Sequence, residues 1–209
     1  MNSVLRRLRE EETTSVTSTT YVKMVGDFIN DAKTLVGQAA DWSALRETIT
    51  ISTTASDNTY SLTGGSDNVK VMSVLNDTQN CYMEYQSKDW FNDALYIANA
   101  VEGAPKYYTY NGLDSNGDTQ VLVGPTPDGV YSLRFDVTKR QVDLSANTDS
   151  LLIPAQPVIH LAVALLARER GETGGTSTAE YFQIANQYLS DAIAIDAAKH
   201  PEEMYFRTI

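Results

Sequence analysis

GAPKYYTYNGLDSNGDTQVLVGPTPDGVYSLRFDV (Gly103–Val137), followed after a polar link by LIPAQPVIHLAVALLARE (Leu152–Glu169), holds the change of pattern that decides the fold. The first part alternates apolar and polar residues and is broken by the turn signals DSNGD and PTPDG. The second part is apolar at nearly every position. Pro157 suits a first helical turn. Val158, Ile159, Leu161, Ala162, Val163, Leu165 and Leu166 leave almost no polar face, so this helix is expected at the centre of a bundle. Arg168 and Arg170 complement the negative end of its dipole, and Gly171 ends it. No catalytic signature lies anywhere in the run, which points to a scaffold that works by shape and subunit contacts.

Upstream the two-residue period continues. LRETITIS, NTYSLT, VKVMSVLN and CYMEYQS alternate, with turn signals at SDN near Ser56 and at GGSDN near Gly64. DWFNDALYIANA carries Trp90, Phe91, Leu95 and Ile97 at one or two helical turns. The middle of the chain therefore reads as about seven short strands in a small sandwich or rolled sheet.

Both ends are helical. Val4, Leu5 and Leu8 share one face of a helix too short to stand alone, which must dock on the body or on a neighbour. A polar linker, TTSVTSTT, separates it from a second helix with Val22, Val25, Phe28, Ile29, Ala32, Leu35 and Val36 at helical spacing. Thr19 or Thr20 caps that helix, it frays near Gly37 to Ala40, and Asp41 and Trp42 begin the next connection. After the loop GETGGTST, Ser177 and Glu180 have capping-box spacing. Tyr181, Ile184, Ala185, Tyr188, Leu189, Ala192 and Ile195 then form a long stripe. Pro201 breaks the pattern, and Met204, Tyr205, Phe206 and Ile209 lie beyond any element that buries them easily. The expected fold is α+β, a helical bundle from the N- and C-terminal segments with an inserted antiparallel β-domain. The divisions fall at residues 1–44, 45–150, 151–200 and a docking tail at 201–209.

Composition narrows the function classes. With 209 residues, 42% of them hydrophobic and 21% charged, the chain can hold a real core. The net charge of −11, from 27 acidic and 16 basic residues, speaks against binding nucleic acid by phosphate neutralisation. It leaves room for a surface past which DNA slides without sticking. One cysteine, Cys81, allows no intrachain disulfide, suits a reducing compartment, and is expected as a small buried hydrophobe. The opening MNSVLRRLREEE lacks the apolar core of a signal peptide. The longest apolar run, Val158 to Ala167, is too short to span a membrane.

Candidate chemistry is thin. Asp114, Asn116 and Asp118 alternate as in a calcium loop. The positions that require Gly and Glu hold Thr119 and Pro125, so a hairpin turn is the better reading. His160 sits inside the apolar helix and His200 near the end; neither has a partner pattern for zinc or a nucleophile elbow. His160 is expected to pack in the bundle or bond a carbonyl. Gly174-Gly175 lacks the phosphate-loop pattern. Glu10 to Glu12 read as a solvated helix end. Tyr107, Tyr108 and Tyr110 suggest a sugar or base platform, but alternating strand aromatics more often pack across strands. No catalytic residue, cofactor or metal ligand is expected.

Four segments in order resemble one family. They are VGDFINDAKTLVGQAADWSALRE with its Trp42 junction, the YSL strand with VKVMSVL, GAPKYYTY with VLVGPTPDGVYSLRF, and the LLIP-to-helix junction with the closing helix from Ala179 to Ala198. Together they cover nearly the whole chain and resemble the head-to-tail adaptor proteins of tailed bacteriophages, which include podoviral connector and tubular-tail adaptors. The resemblance implies a virion structural protein at the head–tail junction, assembled in the host bacterial cytoplasm. It implies a homo-oligomeric ring, commonly of twelve copies, below the portal protein. The ring extends the DNA channel and joins it to tail nozzle or tail tube proteins, without sequence-specific DNA binding, membrane or catalysis. On this reading the long helices dock to the portal and the terminal segments clasp neighbours through Leu5, Leu8, Met204, Tyr205, Phe206 and Ile209. The competing reading is a carbohydrate-binding or tail-fibre-type β module, which needs exposed tyrosines on one face. A hydrolase using paired carboxylates would need a pocket lined by acids of raised pKa.

Overall fold

The computed structural model describes residues 1–64, 69–97, 102–171 and 177–199. The GGSDN turn beyond Gly64, the loop at 172–176, the Ser177 side chain of the capping-box pattern, His200 and the tail with Pro201 lie outside the description. Five helices and eight strands occur among the described residues. In chain order they are α1 (Asn2–Arg7), α2 (Thr20–Gln38), β1 (Arg46–Ser52), β2 (Thr59–Ser61), β3 (Lys70–Asn76), β4 (Cys81–Tyr82), β5 (Glu84–Tyr85), α3 (Lys88–Phe91), β6 (Tyr107–Leu113), β7 (Thr119–Gly124), β8 (Ser132–Thr138), α4 (Ala155–Glu169) and α5 (Ser177–Ala197). The fold is α+β. Two compact units divide it: Met1–Leu45 with Gln141–Ile209, and Arg46–Arg140. Residues 141–150 thus group with the helices.

In the helical unit α4 is central, as its composition predicts. Eight of its residues are buried, and α1, α2 and α5 all pack on it. Val158, Ala162, Val163, Leu165 and Leu166 meet Val25, Ala32 and Val36 of α2, Ala192 of α5, and Val4 and Leu5 of α1 in one cluster. Each such aliphatic side chain withdrawn from water contributes about 1.5–3 kcal/mol. Thr19 is the cap of α2, its hydroxyl accepting the Val22 N–H at 3.1 Å. Trp42 closes the other end: fully buried, it donates its indole N–H to the Val36 carbonyl at 2.8 Å. Gly171, at φ 69°, takes the left-handed position after α4 that a Cβ disfavours.

The β unit is a small sandwich of two four-stranded sheets, ordered β1-β8-β3-β4 and β2-β7-β6-β5. The first is antiparallel. The second is mixed, because the two-residue β5 runs parallel to β6. There is one strand more than the patterning suggests, since CYMEYQS supplies two short edges on different sheets. Strand alternation builds the core: Leu133, Phe135 and Val137 of β8 face inward opposite Val121 and Val123 of β7. Ile49 and Val74 flank Phe135 in register. Tyr108 meets Phe135 edge-on at 6.3 Å across the sandwich.

α3 and the π-type turn after it, Asn92–Ile97, cover the outer face of the second sheet. The contact is close: a Cβ at Gly124 would lie 2.9 Å from the ring edge of Phe91, which is fully buried. Gly124→Ala is expected to cost about 1–3 kcal/mol in urea unfolding, with Phe91→Leu recovering part of it in the double variant.

Candidate interaction surfaces

The N-terminal arm is fastened to its own body by side-chain amides. Asn2 exchanges two hydrogen bonds with the Thr13 backbone, at 3.1 and 3.2 Å. Asn30 does the same with Leu144, at 3.1 and 2.9 Å. Asn147 accepts the Val16 N–H at 2.9 Å and donates to the Thr14 carbonyl at 3.1 Å. Each amide supplies one rung of a strand ladder where there is no strand. Lys33 of α2, 2% exposed, donates to the Gln141 and Val142 carbonyls at 3.1 and 2.8 Å and to the Asp143 carboxylate at 2.8 Å. All three ammonium hydrogens are satisfied. Sequence periodicity marked Leu35 rather than Lys33 as a core position; Leu35 is 52% exposed.

These contacts bear on the residues singled out in the sequence. Leu5 is buried in the chain's own core and Leu8 packs against it, so while α1 stays docked Leu5 has no surface to offer a neighbour. Two of the acidic residues beside α1 are paired: Glu12 with Arg6 at 3.0 Å, and Glu10 with Arg170 at 2.6 Å. Arg170 also bonds the Tyr21 hydroxyl and lies over its ring. Met204, Tyr205, Phe206 and Ile209 lie outside the described residues.

α5 carries the second feature. Tyr181, Ala185, Leu189 and Ala192 turn to the core, whereas Ile184, Tyr188 and Ile195 of the predicted stripe are exposed at 41%, 39% and 67%. With Asp191, these three fall within about 60° of arc on the helix wheel. A groove of about 260 Å³ borders this flank, between α5 and Pro154–Pro157 at the start of α4. His160 stacks flat on Tyr188, ring centres 4.4 Å apart. Burial first, and then Arg7, push the imidazole below its ordinary value, so it sits there neutral.

Near the end of α5, Asp196 accepts the Ser43 N–H at 2.8 Å and hydroxyl at 2.7 Å, and pairs with Lys199 at 2.9 Å. Burial opposes its ionisation. The Ser43 hydroxyl and N–H, with Lys199, outweigh burial and bring the carboxyl to about 2. Its folded pKa lies below its unfolded value of about 3.9, so the stabilisation is present above that value and is lost as pH falls through about 4 toward 2. Asp196→Asn is expected to remove about 1–2 kcal/mol at pH 7, the exposed Lys199 contributing little, and to flatten this acid limb in pH-dependent urea titrations.

The three tyrosines of β6 are divided. Tyr108 points into the sandwich and is 7% exposed. Tyr110 lies on the same face nearer the edge, its hydroxyl accepting the Val71 N–H at 2.9 Å. Tyr107 is on the opposite face, packed against Trp90 with ring centres 4.8 Å apart. A sugar platform needs them side by side and outward, which this arrangement does not give. The Asp114–Asp118 segment is the hairpin turn between β6 and β7. One Asp114 oxygen accepts the Asn116 and Asp118 N–H groups at 2.8 and 2.9 Å, and the Ser61 hydroxyl foremost holds the carboxyl below its usual range. Cys81 is half-buried on the short edge strand β4, not in the core, because β4 pairs on one side only.

Among the described residues no group of three His, Cys, Asp or Glu is placed to hold a metal ion, and no helix is long and apolar enough to cross a membrane. The sequence model of a protein family described as SU10 adaptor protein matches residues 1–205. No curated protein matches the chain.

Proposed function

Because this chain belongs to the SU10 adaptor protein family, a family of phage head-to-tail adaptors, we propose that it forms a ring below the portal that extends the DNA channel and attaches the tail. The family gives it a structural role in the virion, between portal and tail proteins. In the proposed assembly twelve copies close the ring, the long helices dock on the portal, the terminal segments clasp neighbours, and no catalysis takes place.

The match across nearly the whole chain carries this reading. A closed ring requires two different patches on each copy, joined head to tail. The exposed flank of α5 supplies one apolar patch, and the sequence supplies further apolar residues in Met204, Tyr205, Phe206 and Ile209. The net charge of −11 suits a channel past which phosphates slide without binding.

The test mixes the purified protein with portal rings and images the product by negative stain. Rings seated on the portal are expected. Deleting residues 202–209 should leave a folded chain by circular dichroism and abolish ring or portal binding; assembly at the wild-type level would count against the tail as the contact.

A further inference from the structure

We propose that in the free, unassembled chain the outer edge of β1 pairs antiparallel with the same edge of a second copy, joining two sandwiches through one continuous sheet. This does not rest on the ring reading, because it concerns the protein before it meets a portal. Among the described residues β1 is the long edge strand: it has seven residues, whereas the other edges, β2, β4 and β5, have three, two and two. Its phase follows from its neighbours. Thr53, the residue after β1, donates its N–H to the Tyr131 carbonyl at 2.9 Å. Asp77, the residue after β3, donates to the Ser132 carbonyl at 2.9 Å from the other side of β8. Odd-numbered residues of β1 therefore bond β8. By the alternation of an antiparallel ladder, Arg46, Thr48, Thr50 and Ser52 turn their N–H and C=O groups outward. All four residues are exposed, along about 20 Å of open edge.

Three observations select a second copy as the occupant. The first is that nothing blunts the edge. Thr48–Ser52 reads Thr-Ile-Thr-Ile-Ser, without charge or proline and β-branched at every position but the last, and no bulge interrupts its register with β8. The second is self-complementarity. With the two-fold at Thr50, that residue faces the partner's Thr50, Thr48 faces the partner's Ser52, and Ile49 faces the partner's Ile51, all favourable cross-strand pairs. Arg46 and Glu47 then fall opposite the partner's Thr54 and the partner's Thr53, so no like charges meet. A slip toward the start of the strand sets Glu47 against an isoleucine. The third is the core. Ile49 and Ile51 pack on the sandwich interior yet are only half-buried, because β1 has a neighbouring strand on one side alone. The paired copy covers the other side and extends the core across the two-fold. Such a contact is isologous and closes on itself, so it stops at two copies. One strand pair buries little area, so the dimer is weak and yields to a stronger partner. It keeps the open edge covered until assembly.

The experiment follows the full-length chain, without portal, by sedimentation over a concentration series and by amide hydrogen exchange. A monomer–dimer equilibrium with a Kd in the micromolar range is expected, with the Thr48, Thr50 and Ser52 N–H groups gaining protection as the dimer forms. Thr50→Lys sets two ammonium groups against each other at the two-fold. It is expected to raise Kd about tenfold or more and to leave circular dichroism unchanged, because the side chain is exposed. Monomer at every concentration up to the high micromolar range would overturn the proposal. So would a dimer indifferent to Thr50→Lys, or one whose three amides exchange as they do in the monomer, since each assigns the contact to another surface. The exchange measurement uses the unaltered chain and so does not depend on the variant. With no portal present, none of these outcomes bears on the ring reading, and the imaging of portal-bound rings does not bear on the β1 pair.

Discussion

Replacing Trp42 by alanine is expected to destabilise the helical unit by about 3–5 kcal/mol, the range for truncating a large, fully buried aromatic side chain. Trp42 has no exposed surface and sits in the cluster built by α2, α4 and α5. Two losses add. The indole leaves a cavity in that cluster, which relaxes only partly. The Val36 carbonyl, in the last turn of α2, also loses the indole N–H and keeps only the longer bond from the Ala39 N–H at 3.2 Å. Trp42→Phe keeps most of the volume and not the donor, so it should cost about 1–2 kcal/mol and separate the two terms. The measurement is urea unfolding followed by circular dichroism. A change below about 1 kcal/mol for Trp42→Ala would show that the junction repacks.

Lys33→Met is the second large effect, about 2–4 kcal/mol. Methionine keeps the buried stem and removes the donors. The carboxylate of Asp143 is 62% exposed and returns to water at little cost. The expense falls on the Gln141 and Val142 carbonyls, which point at the buried ammonium. Lys33→Arg is not expected to rescue, because a planar fork does not fit a slot shaped for a compact ammonium. Hydrogen exchange supplies a local readout. The Leu144 N–H, bonded to the Asn30 side chain three residues beyond Gln141, should lose protection as the returning segment loosens. Wild-type protection there, with unchanged stability, would remove Lys33 from its place as the anchor.

Lys33 also shows where reading a sequence stops. On the wheel of α2 it lies about 60° to one side of the Val25–Val36 stripe, and Leu35 about 80° to the other. Hydrophobicity ranks Leu35 first. Which flank is covered depends on the segment at 141–149, more than a hundred residues away, and nothing in α2 encodes that contact. α5 repeats the lesson. Its apolar residues span an arc wider than one neighbour can cover, and periodicity joined Ile184, Tyr188 and Ile195 to the core stripe. The structure gives the core only the arc with Ala185 and Ala192, where small residues let α4 approach. Likewise the spacing of Tyr107, Tyr108 and Tyr110 fixed their alternation, while the partner sheet and α3 decided which ring each one meets.

By itself the amino-acid sequence determined the element types, the central place of α4, the insertion of a strand-rich unit between two helical ends, and the family. Helical and strand periods, proline and glycine stops, and the ordered segments shared with the family are local signals that survive without knowledge of partners. Only the tertiary structure decided the strand order of the two sheets, the burial of Lys33 and Leu5, the pairing of Asp196 with Ser43, and the uncovered flank of α5. Each of these joins residues far apart along the chain. Such contacts form where packing elsewhere leaves a slot of the right shape and polarity, and that slot is a property of the folded whole.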